Sequence, residues 1–259
     1  MAKPHHFLAP PAPVPIAHRG GAREAEENTL AAFAHALELG YRDIELDVHA
    51  TRDGVVVVHH DETLARMTGD PRPLAALDWE ELREIRTLGG NPIPRLDTVL
   101  ERFPDMRITI EAKSDAVVAP LAETIRRAGA LERVCVGSFS AGRTARLRRL
   151  LGAGLCWSPS HRGVAGLWLR GWGLPLLPMG GFAVVQVPVR FRGLPVVTPR
   201  FMQAAQARGI TVQVWTVNDA AEMERLLDLG VQGIMTDRPG LLRRVLERRG
   251  QWPWRPPEG

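Results

Sequence analysis

The sequence predicts an α/β fold of the (β/α)8 barrel kind, and three observations carry that expectation. Eight short apolar runs alternate with helix-like runs along the 259 residues. Four of the apolar stretches end in charged or imidazole groups, His-Arg, Glu-x-Asp, His-His-Asp and Glu-x-Lys, and a fifth ends in the polar Trp-Thr-Val-Asn. A doubly wound sheet is the alternative, but the first turn reads His-Arg-Gly-Gly-Ala-Arg and lacks the G-x-G-x-x-G spacing.

The elements follow in order. Residues 14–18 read as the first strand. Asn28 caps the first helix, Leu30, Phe33 and Leu37 share one face, and Gly40 ends it. The second strand is 44–48. A short partner, 55–58, follows it and opens a small insertion with a helix at 78–86. Then come helix 96–102, strand 107–111, helix 117–128, strand 134–138, helix 142–151 and strand 154–157. The last three units pair strands 183–187, 211–216 and 232–236 with helices 199–208, 220–229 and 239–248. Thr198, Asp219 and Asp237 or Arg238 stand where these helices need N-caps. Residues 14–249 form one domain in this reading, with tails at 1–13 and 250–259.

The segment 158–181 resists the pattern. It carries Trp168, Trp172 and several leucines, broken by arginines, prolines and glycines, and makes a poor membrane span. We expect either a short helix over the barrel mouth, with a lipid-interface contact between Trp168 and Met179, or a helix packed on the barrel exterior.

Composition narrows the function classes. The formal net charge is +4, which suits phosphate-bearing substrates. The arginines are spread over helical faces with no nucleic-acid motif, so nucleic acid is not expected as a partner. Lysine occurs only at Lys3 and Lys113. Cys135 and Cys156 sit in apolar runs and read as reduced core residues. The proline-broken N-terminus has no signal-peptide pattern, and the expected location is cytoplasmic. The sequence carries no signal of oligomeric state.

The chemistry lies at the strand ends. Glu45 and Asp47 are two apart on a strand and share a face; Glu111 and Lys113 repeat the spacing. Three carboxylates in one pocket repel unless a cation neutralises them, and an all-oxygen set favours Mg2+ or Ca2+ over zinc. The competing reading is an ion-pair net with Arg19, Arg42 and Lys113. His18 and His60 end two apolar runs and could serve as acid and base, the two roles that phosphodiester cleavage needs. Arg19 and Lys113 offer positive charge to phosphate oxygens. Trp215 packs against an apolar part of a substrate or in the core, and Ser138 and Gln186 could hydrogen-bond a ligand.

Taken together these motifs resemble the glycerophosphodiester phosphodiesterase family. The resemblance rests on HRG at His18, EENT at Glu26, ELDV at Glu45, TRDG at Thr51 and VVHHD at Val57. It continues with IPRL at Ile93, EAK at Glu111, SFS at Ser138, VWTVN at Val214 and GIMTDRP at Gly233. It spans residues 14 to 248 and is weakest over 158–181. It implies a TIM barrel that hydrolyses glycerophosphodiesters to sn-glycerol 3-phosphate and an alcohol. It also implies His18 and His60 as the acid/base pair and Glu45, Asp47 and Glu111 as ligands of a divalent cation. Arg19 and Lys113 would bind phosphate, with Glu27 close to metal and substrate. Glu26 is a departure, because the family has proline there. A lysophospholipase D-type phosphodiesterase and a non-catalytic phosphodiester-binding barrel are the rival functions.

Overall fold

The computed structural model describes residues 5–9, 13–177 and 179–252. The stretches read as tails, 1–13 and 250–259, lie partly outside the described residues. The first half of the chain forms β1 (Val14–His18), α1 (Leu30–Glu38), β2 (Asp43–Ala50), β3 (Val56–Val58), α2 (Ala65–Thr68), α3 (Trp79–Leu82), α4 (Leu96–Arg102), β4 (Arg107–Ala112), α5 (Val118–Arg127) and β5 (Val134–Gly137). The second half forms α6 (Ala141–Leu151), β6 (Cys156–Trp157), α7 (His161–Gly171), β7 (Val184–Pro188), β8 (Arg190–Phe191), β9 (Leu194–Pro195), α8 (Pro199–Gln206), β10 (Thr211–Trp215), α9 (Ala220–Asp228), β11 (Gly233–Thr236) and α10 (Pro239–Arg248).

Eight parallel strands make a nearly closed barrel in the order β6-β5-β4-β2-β1-β11-β10-β7, and β3 pairs antiparallel with β2. The remaining gap, between β6 and β7, is bridged by a side chain: the Gln186 N–H donates to Ser158 Oγ at 3.0 Å. Each predicted strand is present, some trimmed by one or two residues. β2 is buried along its whole length because it faces the barrel interior on one side and helices on the other. Ile44, Leu46 and Val48 pack outward with Phe33, Ala36 and Leu121, which leaves Glu45 and Asp47 inward. Asp43, at the bottom of the same inward row, is paired with Arg107, whose Nε donates at 2.8 Å.

Register then sets the site. His18 of β1 stands opposite Glu45 of β2, and Asp47 stands opposite Glu111 of β4. At the other end of the barrel, a short turn at His6–Leu8 buries Phe7 among Cys135, Cys156 and Val184. Both cysteines are free thiols.

Three local expectations change. Thr29, not Asn28, caps α1: its hydroxyl accepts from the Ala32 N–H, while Asn28 takes a left-handed φ of 59° and turns its amide to the site. The helix expected over 78–86 is one turn, Trp79–Leu82. Asp78 and Glu81 start it as a capping box, but the chain must then return through a bridge between Arg86 and Pro92. The segment after β6 puts α7 across the mouth, packed on α8 and tied to β9 by Trp168 Nε1 donating to the Pro195 carbonyl at 3.1 Å. The hairpin β8–β9 was not anticipated. Among the described residues no helix is long and apolar enough to cross a membrane.

Candidate active site

The C-terminal ends of the strands open into a cleft of about 640 Å3. His18, Arg19, Glu45, His60, Glu111, Lys113 and Trp215 all line it. Asp47 lies just beneath, 1% exposed.

Each histidine is held by a carboxylate. His18 Nδ1 lies 2.6 Å from Asp237 Oδ1, and His60 Nδ1 lies 2.6 Å from Asp61 Oδ1. A carboxylate accepts, so each Nδ1 carries the proton and each Nε2 is the exchangeable nitrogen. Burial opposes charge on His18, but Glu45, 3.7 Å from Nε2, and the Asp237 carboxylate outweigh it and raise its pKa. Asp237 is itself fixed by Asn218, whose Nδ2 donates to Oδ2 at 2.6 Å. Burial works against the charged form of Asp237, and the contacts with His18 and Asn218 bring its pKa down on balance. Asp61 is fixed by Arg66, whose Nε donates at 2.6 Å, and its pKa falls well below the usual carboxylate range.

Glu45, Asp47 and Glu111 bring carboxylate oxygens within 4.8 Å of one another. Burial, and then the neighbouring Asp47, push Glu45 up to about 7. Burial also raises Glu111. Asp47 goes the other way despite burial, because Lys113 Nζ sits 2.9 Å away and Arg19 Nε 3.1 Å away. Lys113 also contacts Glu111 at 2.9 Å. At Glu45 burial and Asp47 outweigh the nearby His18 and Arg19, which leaves room for further positive charge. The trio, with hard oxygen donors throughout, fits a divalent cation. Of the competing ion-pair net, Arg19 and Lys113 reach the carboxylates, and Arg42 donates to the Tyr41 carbonyl.

The loop after β1 gives Arg19 its place. Arg19 and Asn28 both have left-handed backbones, at φ 53° and 59°, and the Asn28 N–H donates to the Arg19 carbonyl at 2.9 Å. Gly20 permits the turn, since a Cβ there would sit 2.6 Å from Ala32 Cβ. Asn28 Nδ2 donates to Asp47 at 3.0 Å. Glu27 does not line the cleft. Its Oε1 accepts from Arg19 at 3.1 Å and from Arg66 at 2.7 Å, so it reaches the site through Arg19.

Trp215 lies edge-on to Phe139 at 5.8 Å on the apolar side of the cleft. Ser138 and Gln186 also line the cleft, and each makes hydrogen bonds within the barrel. Ser138 donates to the Ala112 carbonyl, and the Gln186 amide donates to Thr109 and Gln213. Sequence reasoning missed Asp237, Asn218 and the aromatic row Phe139, His161 and Phe191. Asp237 carried the right signal, a carboxylate closing the last apolar run, but was read as a helix cap.

Barrel and mouth together define the class: an α/β-barrel hydrolase of phosphate esters. The profile described as "Glycerophosphoryl diester phosphodiesterase family" matches residues 18–241. The chain belongs to that family. It is 38% identical to "Probable glycerophosphodiester phosphodiesterase 2" of Mycobacterium tuberculosis, covering 95% of each. It is 31% identical to human "Lysophospholipase D GDPD1", covering 89% of this chain and 85% of that one. The crystal structure of a glycerophosphodiester phosphodiesterase from Agrobacterium tumefaciens matches at TM-score 0.74 and 27% identity, covering 89% of this chain and 99% of that chain.

Proposed function

We propose that this enzyme hydrolyses glycerophosphodiesters to sn-glycerol 3-phosphate and an alcohol, and that residues 14–249 act as one catalytic domain. The observation that carries the reading is the pair of imidazoles, each with Nδ1 tied to a carboxylate and both lining one cleft beside three carboxylates. His18 and His60 divide the proton work. One takes the proton of the nucleophile, either water or the glycerol 2-hydroxyl (in which case water then opens the cyclic phosphate), and the other delivers a proton to the departing alkoxide. Each returns to its starting state by exchange with water. Arg19 and Lys113 give positive charge to the phosphate oxygens, and Glu27 steadies Arg19. Glu45, Asp47 and Glu111 are the residues that would hold Mg2+ or Ca2+. When bound, such an ion supplies Lewis-acid neutralisation of phosphate charge. Trp215, with Phe139, packs the alcohol side. The product belongs to glycerol and lipid metabolism, and two free buried thiols suit a cytoplasmic setting.

A second reading, a lysophospholipase D-type activity, is favoured by the apolar far wall of the cleft, built from Val164, Trp168, Phe191 and Leu194. Phosphorus NMR of the products separates the two. Glycerol 3-phosphate from glycerophosphocholine supports the first reading, and lysophosphatidic acid from lysophosphatidylcholine supports the second. Failure on both would leave a phosphodiester-binding barrel without turnover.

A further inference from the structure

The carboxylates occupy one side of the cleft and an apolar wall the other, and that wall does not stop at the mouth. Trp172 follows α7, lies tilted against Trp168 with ring centroids 5.7 Å apart and is 52% exposed. Leu176, a few residues on, is 70% exposed. Nine large hydrophobic side chains are exposed among the described residues. Six of them (Phe139, Trp172, Leu174, Leu176, Phe191 and Leu194) belong to this sector. Single exposed leucines are ordinary, but a set gathered around one opening marks a contact surface.

Charge is segregated in the same place. From Arg133 to Asn218 the chain carries eleven arginines and no aspartate or glutamate; all 29 acidic residues lie elsewhere. Arg162 stands in the first turn of α7, Arg190 and Arg192 sit in the hairpin, and the Arg200 guanidinium lies 4.1 Å over the Trp172 ring. Exposed tryptophan, phenylalanine and leucine interleaved with arginine, with no acid in the same stretch of chain and Glu222 near Arg190, is the chemistry that enters an anionic lipid headgroup layer. A second copy of the chain fits poorly, because two such faces would set arginines against arginines.

We propose that α7 and the β8–β9 hairpin dock the enzyme on an anionic bilayer. From there a single-chain lipid phosphodiester slides into the apolar side of the cleft without crossing water. The docking stands on the surface alone; the passage of substrate rests on the phosphodiesterase reading above.

Co-sedimentation of the full-length protein tests it, with vesicles of phosphatidylcholine alone and of equimolar phosphatidylcholine and phosphatidylglycerol. The protein should partition onto the anionic vesicles and release as salt rises. Arg192→Glu should weaken partitioning by roughly fivefold or more, the worth of one arginine at such a surface. Trp172→Ala with Leu176→Ser should weaken it further. Neither side chain lines the cleft, so turnover of soluble glycerophosphocholine should stay unchanged, which also reports an intact fold. Hydrolysis of lysolipid embedded in the anionic vesicles should fall in step with binding. Absence of vesicle binding, or a self-associating protein without it, would overturn the proposal. So would binding to single-stranded RNA as strong as that to vesicles and indifferent to Trp172→Ala/Leu176→Ser. If the wild type binds vesicles but hydrolyses no phosphodiester, the docking stands and the enzymatic reading is what fails.

Discussion

His18 and Asp237 are 219 residues apart in the chain and 2.6 Å apart in the fold, joined Nδ1 to Oδ1. β1 and β11 are neighbours in the barrel, so the first and last strands build one acid–base unit. His60 and Asp61 make a second unit from adjacent residues. The cleft therefore holds two imidazoles oriented in the same way, one by the closing of the barrel and one by local sequence.

Removing the Asp237 charge should move the pH profile. Its carboxylate favours the imidazolium, and His18 already sits above its ordinary pKa through Glu45 and Asp237. Asp237→Asn should therefore shift one limb of the kcat/KM profile to lower pH and reduce kcat by about ten- to a hundredfold. The limb that moves identifies the role of His18: the rising limb if it is the base, the falling limb if it is the acid. A profile that keeps both limbs in place would separate Asp237 from the chemistry.

His60→Ala should lower kcat by on the order of 10²–10⁴-fold, the usual worth of a general acid or base. Asp61→Asn should cost less, because the imidazole remains. Steady-state kinetics on glycerophosphocholine decides this, and normal turnover by His60→Ala would remove that residue from the mechanism.

The carboxylate trio should make the metal-free protein sensitive to pH. Glu45 moves from 4.5 to about 7 on folding, so the folded state holds a proton that the unfolded state releases. Its contribution to stability is full below 4.5 and is lost as pH climbs through about 7. Thermal melts in EDTA should show this loss. Added Mg2+ or Ca2+ should raise Tm more on the alkaline side of that window than on the acid side. A Tm gain independent of pH would argue that the ion binds elsewhere.

Glu26 stands where the family resemblance implies proline, and the structure gives it work. Its carboxylate accepts from Thr87 Oγ1 at 2.5 Å, Asn91 Nδ2 at 2.6 Å and the Gly89 N–H at 2.9 Å. Burial works against the charge, and these three donors still bring its pKa down. The contact latches the Arg19–Asn28 loop to the insertion after β3, and a Cβ on Gly89 would lie 2.6 Å from the Glu26 Oε2 atom. Glu26→Ala should cost about 1–2 kcal/mol in denaturant unfolding. An unchanged unfolding midpoint would show that the latch is idle.

Strand identity and the in-line carboxylates were legible in the sequence because both obey the two-residue strand period, which a reader can count. Glu45, Asp47 and Glu111 follow from that count once the neighbouring strands are known. Asp237 and Asn218 were harder, since the same residues suit helix caps and only barrel closure brings them to His18. Asn28 looked like a cap for the same reason. Its left-handed backbone is imposed by the Arg19 carbonyl and Asp47, neither of which is near in sequence. The β8–β9 hairpin, two residues a side, is too short to leave a periodic trace. The one-turn α3 had helical composition over 78–86, but its chain had to return to Pro92.

The most direct test is release of sn-glycerol 3-phosphate from glycerophosphocholine by wild-type enzyme, in EDTA and after Mg2+ or Ca2+ is restored. The account predicts activity lost in EDTA and regained with one of the two ions. It also predicts that Glu45→Gln or Asp47→Asn cannot be rescued at the same ion concentration. Full turnover in EDTA would contradict the metal-holding role of the trio, and no glycerol 3-phosphate under any condition would contradict the proposed reaction.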